Sequence, residues 1–296
     1  MMSKDQPYLA EIKQTNRVIH CITNSVSIND VANVILALGA SPIMADSQAE
    51  AAEVTSIAGA LLLNLGMPSE MKLSAMLKAG KTAKAIGIPI LFDPVGAGIS
   101  TLRNEAAKKI LEETSPTVIR GNFSEVSFLV TGLRNVHGVD SKKSGGGKTI
   151  QEVSALAEAA AKRYGCILVL TGATDIVTDG KKTFTVHGGS DMMRSVTGTG
   201  DMLDGVIAAF LSVGEDDPLT AVHMAVCAMA IAGASAEETT RQHKTGIGSF
   251  RTALMDVFWA MEDEGLYQVL GSVSSQQPNE LSPGEVSEDS TDHRTL

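Results

Sequence analysis

The sequence predicts an α/β fold in which a central, mostly parallel sheet is flanked by helices and carries an antiparallel hairpin at one edge. Two observations lead to this prediction. Short β-branched runs alternate with longer stretches of helical period, which is the pattern of parallel strands joined by crossover helices. Near residue 179 the pattern changes to two adjacent strand-like runs separated by Asp179-Gly180, which is a strong hairpin signal.

In the first half of the chain, the alternation is punctuated by capping residues. Ser27 is placed to cap a helix whose apolar residues recur every three or four positions, and Gly39 is placed to end it. A second helix opens just after Pro68 and stops at Gly87. The expected strands are 18–23, 41–45, 60–64 and 89–93, and the expected helices are 28–38, one from about 48, and 69–86.

In the second half, the alternation continues to residue 171 and then gives way to the hairpin and a run of helices. The expected strands are 117–120 and 166–171, followed by the hairpin strands 175–178 and 182–187. The expected helices are 102–113, 123–130, 149–164, 200–213, 218–240 and 248–264.

Composition favours one large domain followed by a polar tail. The 296 residues are 44% hydrophobic, and repeating α/β folds commonly hold a chain of this length around one sheet. We expect a single domain over residues 1–271. Residues 272–296 are rich in Ser, Pro and acidic residues and poor in apolar ones, so we expect them to be disordered.

Charge and cysteine usage limit the classes of partner and the compartment. The net charge is −10, and no Lys/Arg run is interleaved with aromatic residues, so nucleic acid is not an expected partner. Three widely separated cysteines without metal-ligand spacing predict a reducing, cytoplasmic setting. The N-terminal segment has no apolar stretch typical of a signal peptide, and the Ala-rich segment 219–236 is interpreted as a buried helix rather than a membrane span.

Polar or functional side chains follow nearly every predicted strand. In open parallel sheets, ligands bind outside the carboxyl ends of the strands. Any one of these residues is more often an ordinary turn or core residue, but their recurrence along one edge favours a binding site. The residues at these positions are Asn24, Met44, Asn64, Asp93, Arg120 and Thr171.

The segment 197–201, with the sequence TGTGD, leads directly into a predicted helix. Free amides at a helix N-terminus, approached closely because glycine has no Cβ, form an anion site suited to phosphate. Asp201 has two interpretations here, a helix-stabilising acid in the first turn or a reactive carboxylate. A dinucleotide-binding G-x-G-x-x-G pattern is excluded because Leu203 stands at its last glycine.

Two other patterns are weaker than they look. Residues 145–149, GGGKT, resemble the end of a P-loop, but Lys142 stands where the first glycine is required and no strand precedes. A loop entering a helix is the better interpretation. His20 and His223 lie inside a predicted strand and a predicted helix, without the partners of a catalytic triad or a zinc site.

Five segments, in order along residues 17–262, resemble hydroxyethylthiazole kinase of thiamine salvage. They read CITNSVSINDVANVILALGASPIMA, ILFDPVGAG, VIRGNFSEV, VLTGATDIVTDG and VTGTGDMLDG. The resemblance implies a ribokinase-like fold and ATP-dependent, Mg²⁺-dependent phosphorylation of the alcohol of hydroxyethylthiazole. It further implies a homotrimer with active sites at subunit interfaces.

Carried onto this chain, the resemblance assigns roles to particular residues. It places Met44, Gly198 and Asn24 at the thiazole. Arg120 and Thr171 fall at ATP, and Asp93 with Glu125 forms the acidic pair around Mg²⁺. Asp201 matches the general base, and the amides of Gly198 and Gly200 face the transferred phosphoryl group.

The chain departs from the family pattern at two positions, and two alternative functions remain open. The family usually has cysteine at Asp201 and threonine at Met67, while the wider ribokinase group uses aspartate as the base. A dehydratase that repairs hydrated NAD(P)H shares the GTGD segment but does not explain Asn24 and Met44. A non-catalytic nucleotide or thiazole sensor would need no base.

Overall fold

The computed structural model describes residues 6–133 and 148–267, in which eight strands form one sheet. The spatial order is β2-β1-β3-β4-β5-β6-β7-β8, parallel from β2 to β6 and antiparallel at β6–β7 and β7–β8. This confirms the predicted fold class. The strands are β1 (Val18–Ile22), β2 (Ser41–Ile43), β3 (Ala60–Asn64), β4 (Ile90–Asp93), β5 (Val118–Asn122), β6 (Ile167–Thr171), β7 (Asp175–Thr178) and β8 (Thr183–Val186).

Helices cover both faces of the sheet. The helices are α1 (Tyr8–Thr15), α2 (Ile28–Leu38), α3 (Ala51–Ser56), α4 (Glu70–Ile86), α5 (Thr101–Thr114), α6 (Phe123–Thr131), α7 (Ile150–Tyr164), α8 (Thr199–Leu211), α9 (Pro218–Gln242) and α10 (Ile247–Ala260). One hydrophobic cluster packs α1, α2, α8, α9 and α10 on one face, and a second packs α3 to α7 on the other. Alternate residues of one strand feed different clusters, as Leu91 and Phe92 do.

The parallel register aligns the carboxyl ends of neighbouring strands. Asn64, the last residue of β3, pairs with Asp93, the last residue of β4. Asn122 at the end of β5 pairs in the same way with Thr171 at the end of β6. The sheet therefore brings polar side chains from distant parts of the sequence to one edge.

Two helix boundaries differ from the sequence-based expectation by three or more residues. The helix expected from about residue 48 begins only at Ala51. The helix expected to reach residue 264 ends at Ala260, because Met261 is extended and lets Asp263 accept hydrogen bonds from the Leu9 and Ala10 amides at the start of α1, both at 2.9 Å. The same contact explains why α1, which the sequence did not predict, is held in place.

Helix α9 is long and apolar enough to cross a membrane by length and composition, but 72% of its most apolar window is buried inside the fold. The interpretation of 219–236 as a buried helix is therefore confirmed. Residues 145–147 and the expected disordered tail, 272–296, lie outside the described residues.

Candidate active site

The first turn of α8 meets the carboxyl edge of the sheet, and Asp201 lies at that meeting point. Its carboxylate accepts hydrogen bonds from Asn24 Nδ2 at 3.0 Å and from Asn64 Nδ2 at 2.9 Å, and Ser27 Oγ donates to Oδ2 as well. All three donors are side chains outside α8, so this carboxylate has partners beyond the start of its own helix. We call Asn24, Ser27 and Asn64 the Asp201 cage.

Ser27 has a different role from the one its position predicts. It occupies the N-cap position of α2, as expected, but its side chain makes no capping hydrogen bond. The hydroxyl instead points to Asp201 and to Asn24 Oδ1, which lies 3.3 Å away. In a cap the hydroxyl oxygen would accept from a backbone amide of α2, whereas here the hydroxyl donates to a carboxylate in a charge-assisted hydrogen bond.

Asn64 is buried, and its amide joins two parts of the site. Its Oδ1 accepts from Asn24 Nδ2 at 3.0 Å and from the Gly66 amide at 2.9 Å. Its Nδ2 lies 2.9 Å from Asp201, 3.0 Å from Asp204 and 3.3 Å from Asp93. An amide nitrogen carries two hydrogens, so it cannot satisfy all three carboxyl groups at full strength.

Arg120 supplies the positive charge among these acids. Its Nη1 lies 2.6 Å from Asp93 Oδ2 and 3.8 Å from Asp204 Oδ1, and the side chain is only 13% exposed. Its Nη2 contacts the Thr171 hydroxyl at 3.5 Å. Burial alone would lower the pKa of Arg120, but the surrounding carboxylates, led by Asp93, shift that pKa upward overall. The guanidinium therefore stays charged.

The acids outnumber this single cation, and their pKa values rise accordingly. Burial raises the pKa of Asp93, and Arg120 only partly opposes that shift. Burial and the neighbouring Asp93 charge raise the pKa of Asp204 well above its usual value. Burial followed by repulsion from Asp93 raises the pKa of Glu125 to about 7. The site is thus poised to take up protons or a further cation.

A divalent cation fits this donor set. Asp93, Asp201 and Asp204 each offer a carboxylate oxygen, and the three oxygens lie within 4.8 Å of one another. Asp93 Oδ1 and Asp204 Oδ1 are buried and have no hydrogen-bond donor. Buried carboxylate oxygens of this kind are the ligands that Mg²⁺ prefers.

Glu125 lies beside this group in a more constrained setting. It forms a capping box with Asn122 at the start of α6, in which its Oε2 accepts from the Asn122 amide at 2.9 Å. Its Oε1 accepts from the Gly96 amide at 2.8 Å. The N-x-x-E segment therefore fixes the loop after β4 to the start of α6.

The glycine turn before α8 brings the Arg120 guanidinium against backbone. Gly198 has φ +85°, in the left-handed region, and serves as the N-cap of α8 without a side-chain cap. A Cβ built on Gly200 would overlap Arg120 Nη2. The Arg120 guanidinium therefore lies against the start of α8, where the first amides of a helix have no intrahelical partner and an anionic group can be bound.

The structure brings most of the predicted residues together. Asn24, Asp93, Arg120, Gly200 and Asp201 form one contiguous group through the contacts above. Two predicted residues lie at its margins. The Thr171 hydroxyl contacts Arg120 and the Gly121 carbonyl, and Met44 follows β2 directly and packs against the larger core cluster.

Sequence reasoning gave no role to two residues that the structure places at the centre. Asn64 was recognised only as a polar residue at a strand end. Asp204 was not singled out, although it follows Asp201 by three positions on one helix and the two therefore share a helix face. That spacing was the available signal.

Comparison with known proteins identifies the family. The chain matches the model of the hydroxyethylthiazole kinase family over residues 9–264. The chain belongs to the hydroxyethylthiazole kinase family. It is 41% identical over 260 residues to a hydroxyethylthiazole kinase of Clostridium acetobutylicum, covering 87% of this chain and 95% of that protein. A hydroxyethylthiazole kinase of Haemophilus influenzae is 41% identical over 261 residues, covering 88% and 96%.

Solved structures agree with this membership. A hydroxyethylthiazole kinase protein from Pyrococcus horikoshii superposes with a TM-score of 0.77 at 33% identity, covering 88% of this chain and 94% of that one. A ribokinase-like superfamily protein from Enterococcus faecalis shares the fold, with a TM-score of 0.57 at 15% identity over 87% of this chain and 94% of that one. The resemblance to this kinase family and the ribokinase-like fold are both confirmed.

A matched pair of glycine substitutions tests the convergence at Gly200. Gly200 and Gly248 each occupy the second position of a helix, but a Cβ on Gly248 meets no atom within 4 Å. We expect Gly200→Ala to displace the Arg120 guanidinium and to lower kcat/KM for ATP by about 10²-fold. Gly248→Ala should leave kcat/KM unchanged and stabilise the fold by about 0.5–1 kcal/mol.

Steady-state kinetics and thermal melting of both variants check this expectation. Melting separates a folding defect from a catalytic one, since helix propensity favours alanine at both positions. A Gly200→Ala variant with kcat/KM within about threefold of Gly248→Ala would show that the close approach is unimportant.

Proposed function

We propose that this protein transfers the γ-phosphoryl group of ATP to the hydroxyl of 4-methyl-5-(2-hydroxyethyl)thiazole in thiamine salvage. Family membership supports the reaction class and the acceptor. The observation that carries the mechanism is the Asp201 carboxylate, held by the Asp201 cage at the glycine turn beside Arg120. A base next to an anion site is what transfer to an alcohol requires.

Asp201 acts as the general base in this proposal. The acceptor hydroxyl oxygen bonds to the γ-phosphorus, its proton passes to the Asp201 carboxylate, and the bond to the β-phosphate oxygen breaks to release ADP. The Asp201 cage keeps the carboxylate aimed at the acceptor. Aspartate stands here where the family usually has cysteine.

Arg120 and the glycine turn bind the phosphoryl group. The amides of Gly198 and Gly200 face it from the start of α8, and Arg120 Nη2 reaches the same point. Because Arg120 Nη1 is held by Asp93, the guanidinium is already oriented before ATP binds. Thr171, in contact with Nη2, extends this surface toward the nucleotide.

The acidic group is the proposed place for Mg²⁺. Asp93 offers a buried oxygen without a donor, and Glu125 contributes a buried carboxylate held beside it. Asp204 adds a second buried oxygen without a hydrogen-bond donor, and Asp201, the third acid of the group, is left to accept the proton. Mg²⁺ held there would neutralise charge on the phosphate oxygens of ATP.

Thiazole binding is proposed at the open side of the Asp201 cage, formed by Asn24, Gly198 and Met44. The surrounding rim carries exposed apolar side chains, among them Val26 and Met67, and Ser25 Oγ contacts Met67 Sδ at 3.1 Å. The resemblance implies a homotrimer with active sites at subunit interfaces, and we propose this assembly for this chain. In it, a second copy would cover the exposed apolar rim and enclose the thiazole. We also place the enzyme in the cytoplasm.

The two alternative functions have less support. Neither the family match nor the relatives at 41% identity favour the dehydratase that repairs hydrated NAD(P)H. A sensor without catalysis would gain nothing from a carboxylate with three side-chain donors at the anion-binding turn. Phosphotransfer explains both the three side-chain donors to the Asp201 carboxylate and its position at the anion-binding turn.

An acceptor screen tests the proposed substrate. With Mg·ATP, we expect ADP release to be fastest with hydroxyethylthiazole and slower with hydroxymethylpyrimidine and small sugars. Omitting Mg²⁺ should remove the activity. Faster release with a pyrimidine or a sugar, and background release with the thiazole, would reject the acceptor while leaving the fold intact.

Asp201→Asn tests the general base. Asparagine keeps the shape of the side chain but cannot take up the proton, so we expect kcat to fall by roughly 10²–10⁴ while ATP affinity and melting temperature stay near those of the wild type. The kcat of Asp201→Cys should lie between those of the wild type and Asp201→Asn, because a thiol is mostly protonated near neutral pH.

Asp256→Asn is the matched control, since Asp256 lies on α10 in a surface cleft outside the site. It should leave kcat unchanged. Asp201→Asn with kcat within about threefold of this control would show that Asp201 is not the base.

A further inference from the structure

Arg103 lies outside the group of candidate reacting residues, but it donates hydrogen bonds to the loops after β3 and β4, next to Asn64 and Asp93. It extends from the first turn of α5, where its own amide donates to the capping hydroxyl of Ser100 at 3.3 Å. Its Nη1 donates to the carbonyls of Leu65 and Val95, both at 2.7 Å, and its Nη2 donates to the carbonyl of Gly66 at 2.7 Å. One side chain therefore binds three backbone carbonyls.

These carbonyls follow the ends of two neighbouring strands. Leu65 and Gly66 come directly after Asn64 at the end of β3, and Val95 comes two residues after Asp93 at the end of β4. The Leu65 amide also donates to the Asp93 carbonyl at 2.9 Å. Arg103 thus ties together the chain segments that orient Asn64 and Asp93.

Arg103 is connected to the proposed thiazole side of the site through Gly66, whose carbonyl it binds. A Cβ built on Gly66 would lie 2.5 Å from Asn24 Nδ2, so the Gly66 backbone packs directly against the Asn24 side chain. Holding the Gly66 carbonyl therefore sets where Asn24 can lie.

Arg103 is also connected to the acidic residues of the site, through Gly96. Gly96 has φ +74°, and a Cβ on it would lie 3.0 Å from Arg103 Cδ. The Gly96 amide in turn donates to Glu125 Oε1 at 2.8 Å. Arg103 packs against the residue that binds Glu125.

We propose that Arg103 is a positioning residue for phosphoryl transfer, which acts by locking the loops after β3 and β4 in register. A planar guanidinium holds its donors in a fixed fork, so two of its nitrogens bind the three carbonyls of the two loops, whereas an ammonium group has all three donors on one flexible nitrogen and an apolar chain has none. A displacement of about 1 Å at a catalytic group can cost roughly 10²-fold in rate. The proposal rests on the phosphotransfer proposed above.

Arg103→Met and Arg103→Lys test this role, with Arg163→Met as the matched control. Arg163 also donates to a backbone carbonyl at 2.7 Å, that of Val130, and packs over the Tyr164 ring, but it lies away from the site. We expect Arg103→Met to lower kcat by about 10–100-fold and to raise the Mg²⁺ concentration for half-maximal rate. Arg103→Lys should recover part of the loss, and Arg163→Met should leave both quantities unchanged.

Two further measurements separate positioning from general stability. Calorimetric titration with a non-hydrolysable Mg·ATP analogue should show weaker binding for Arg103→Met than for Arg163→Met at equal folded fraction. Millimolar ethylguanidine should restore part of the kcat that Arg103→Ala loses, and it should leave the kcat of Arg163→Ala unchanged. If Arg103→Met fails to fold, the comparison of Arg103→Lys with Arg163→Lys decides.

Wild-type activity on hydroxyethylthiazole reports on the proposed function separately. If the wild type is active and the Arg103 variants keep kcat, half-saturating Mg²⁺ and analogue affinity within twofold of the Arg163 controls, the positioning role is wrong and the proposed function stands. If the wild type transfers no phosphoryl group to the thiazole, the proposed function fails, and the analogue titration alone decides the role of Arg103.

Discussion

The candidate site depends on one buried ion pair, between Arg120 and Asp93, whose nitrogen and oxygen atoms lie 2.6 Å apart. Burying charge in a protein interior is expensive unless each charge is paired and hydrogen-bonded. Here a single guanidinium faces more carboxylates than it can neutralise, and the Asn64 amide has too few hydrogens for the rest. The remaining demand for positive charge is what makes the group suited to Mg²⁺ and to a proton released by an alcohol.

The parallel sheet makes this arrangement possible because it brings strand ends from distant sequence positions into lateral contact. Asn64 and Asp93 are partners in the strand register, and α8 delivers Asp201 to the same edge. Glycine at position 200 lets the guanidinium approach the helix start closely. In the proposed mechanism, the glycine turn that would bind the phosphoryl group and the Asp201 carboxylate that would accept the proton lie within one turn of α8, which favours in-line transfer.

Much of the fold was predictable, because strand and helix periods and the Asp179-Gly180 turn are local signals. The glycine turn at the start of α8, with Asp201 in the first helical turn, was also predictable, because consecutive residues signal it. The role of Asn64 was not, because it arises from the strand register and from the approach of a helix 140 positions away at Asp204. Ser27 stands at the N-cap of α2, as its sequence position predicts, but its hydroxyl donates to a distant carboxylate instead of accepting a hydrogen bond from the helix. No local pattern signals that contact.

We propose that Asp201 works as a base because Asn64 holds it in place. The most direct measurement is kcat at saturating substrates for Asn64→Ala, Asp201→Asn and the double variant. If Asn64 acts through Asp201, the double variant will be about as slow as Asp201→Asn alone, because the second substitution removes nothing further. If the two losses multiply, Asn64 acts through its other contacts, with Asp93 and Asp204, and the proposal that it serves Asp201 is wrong.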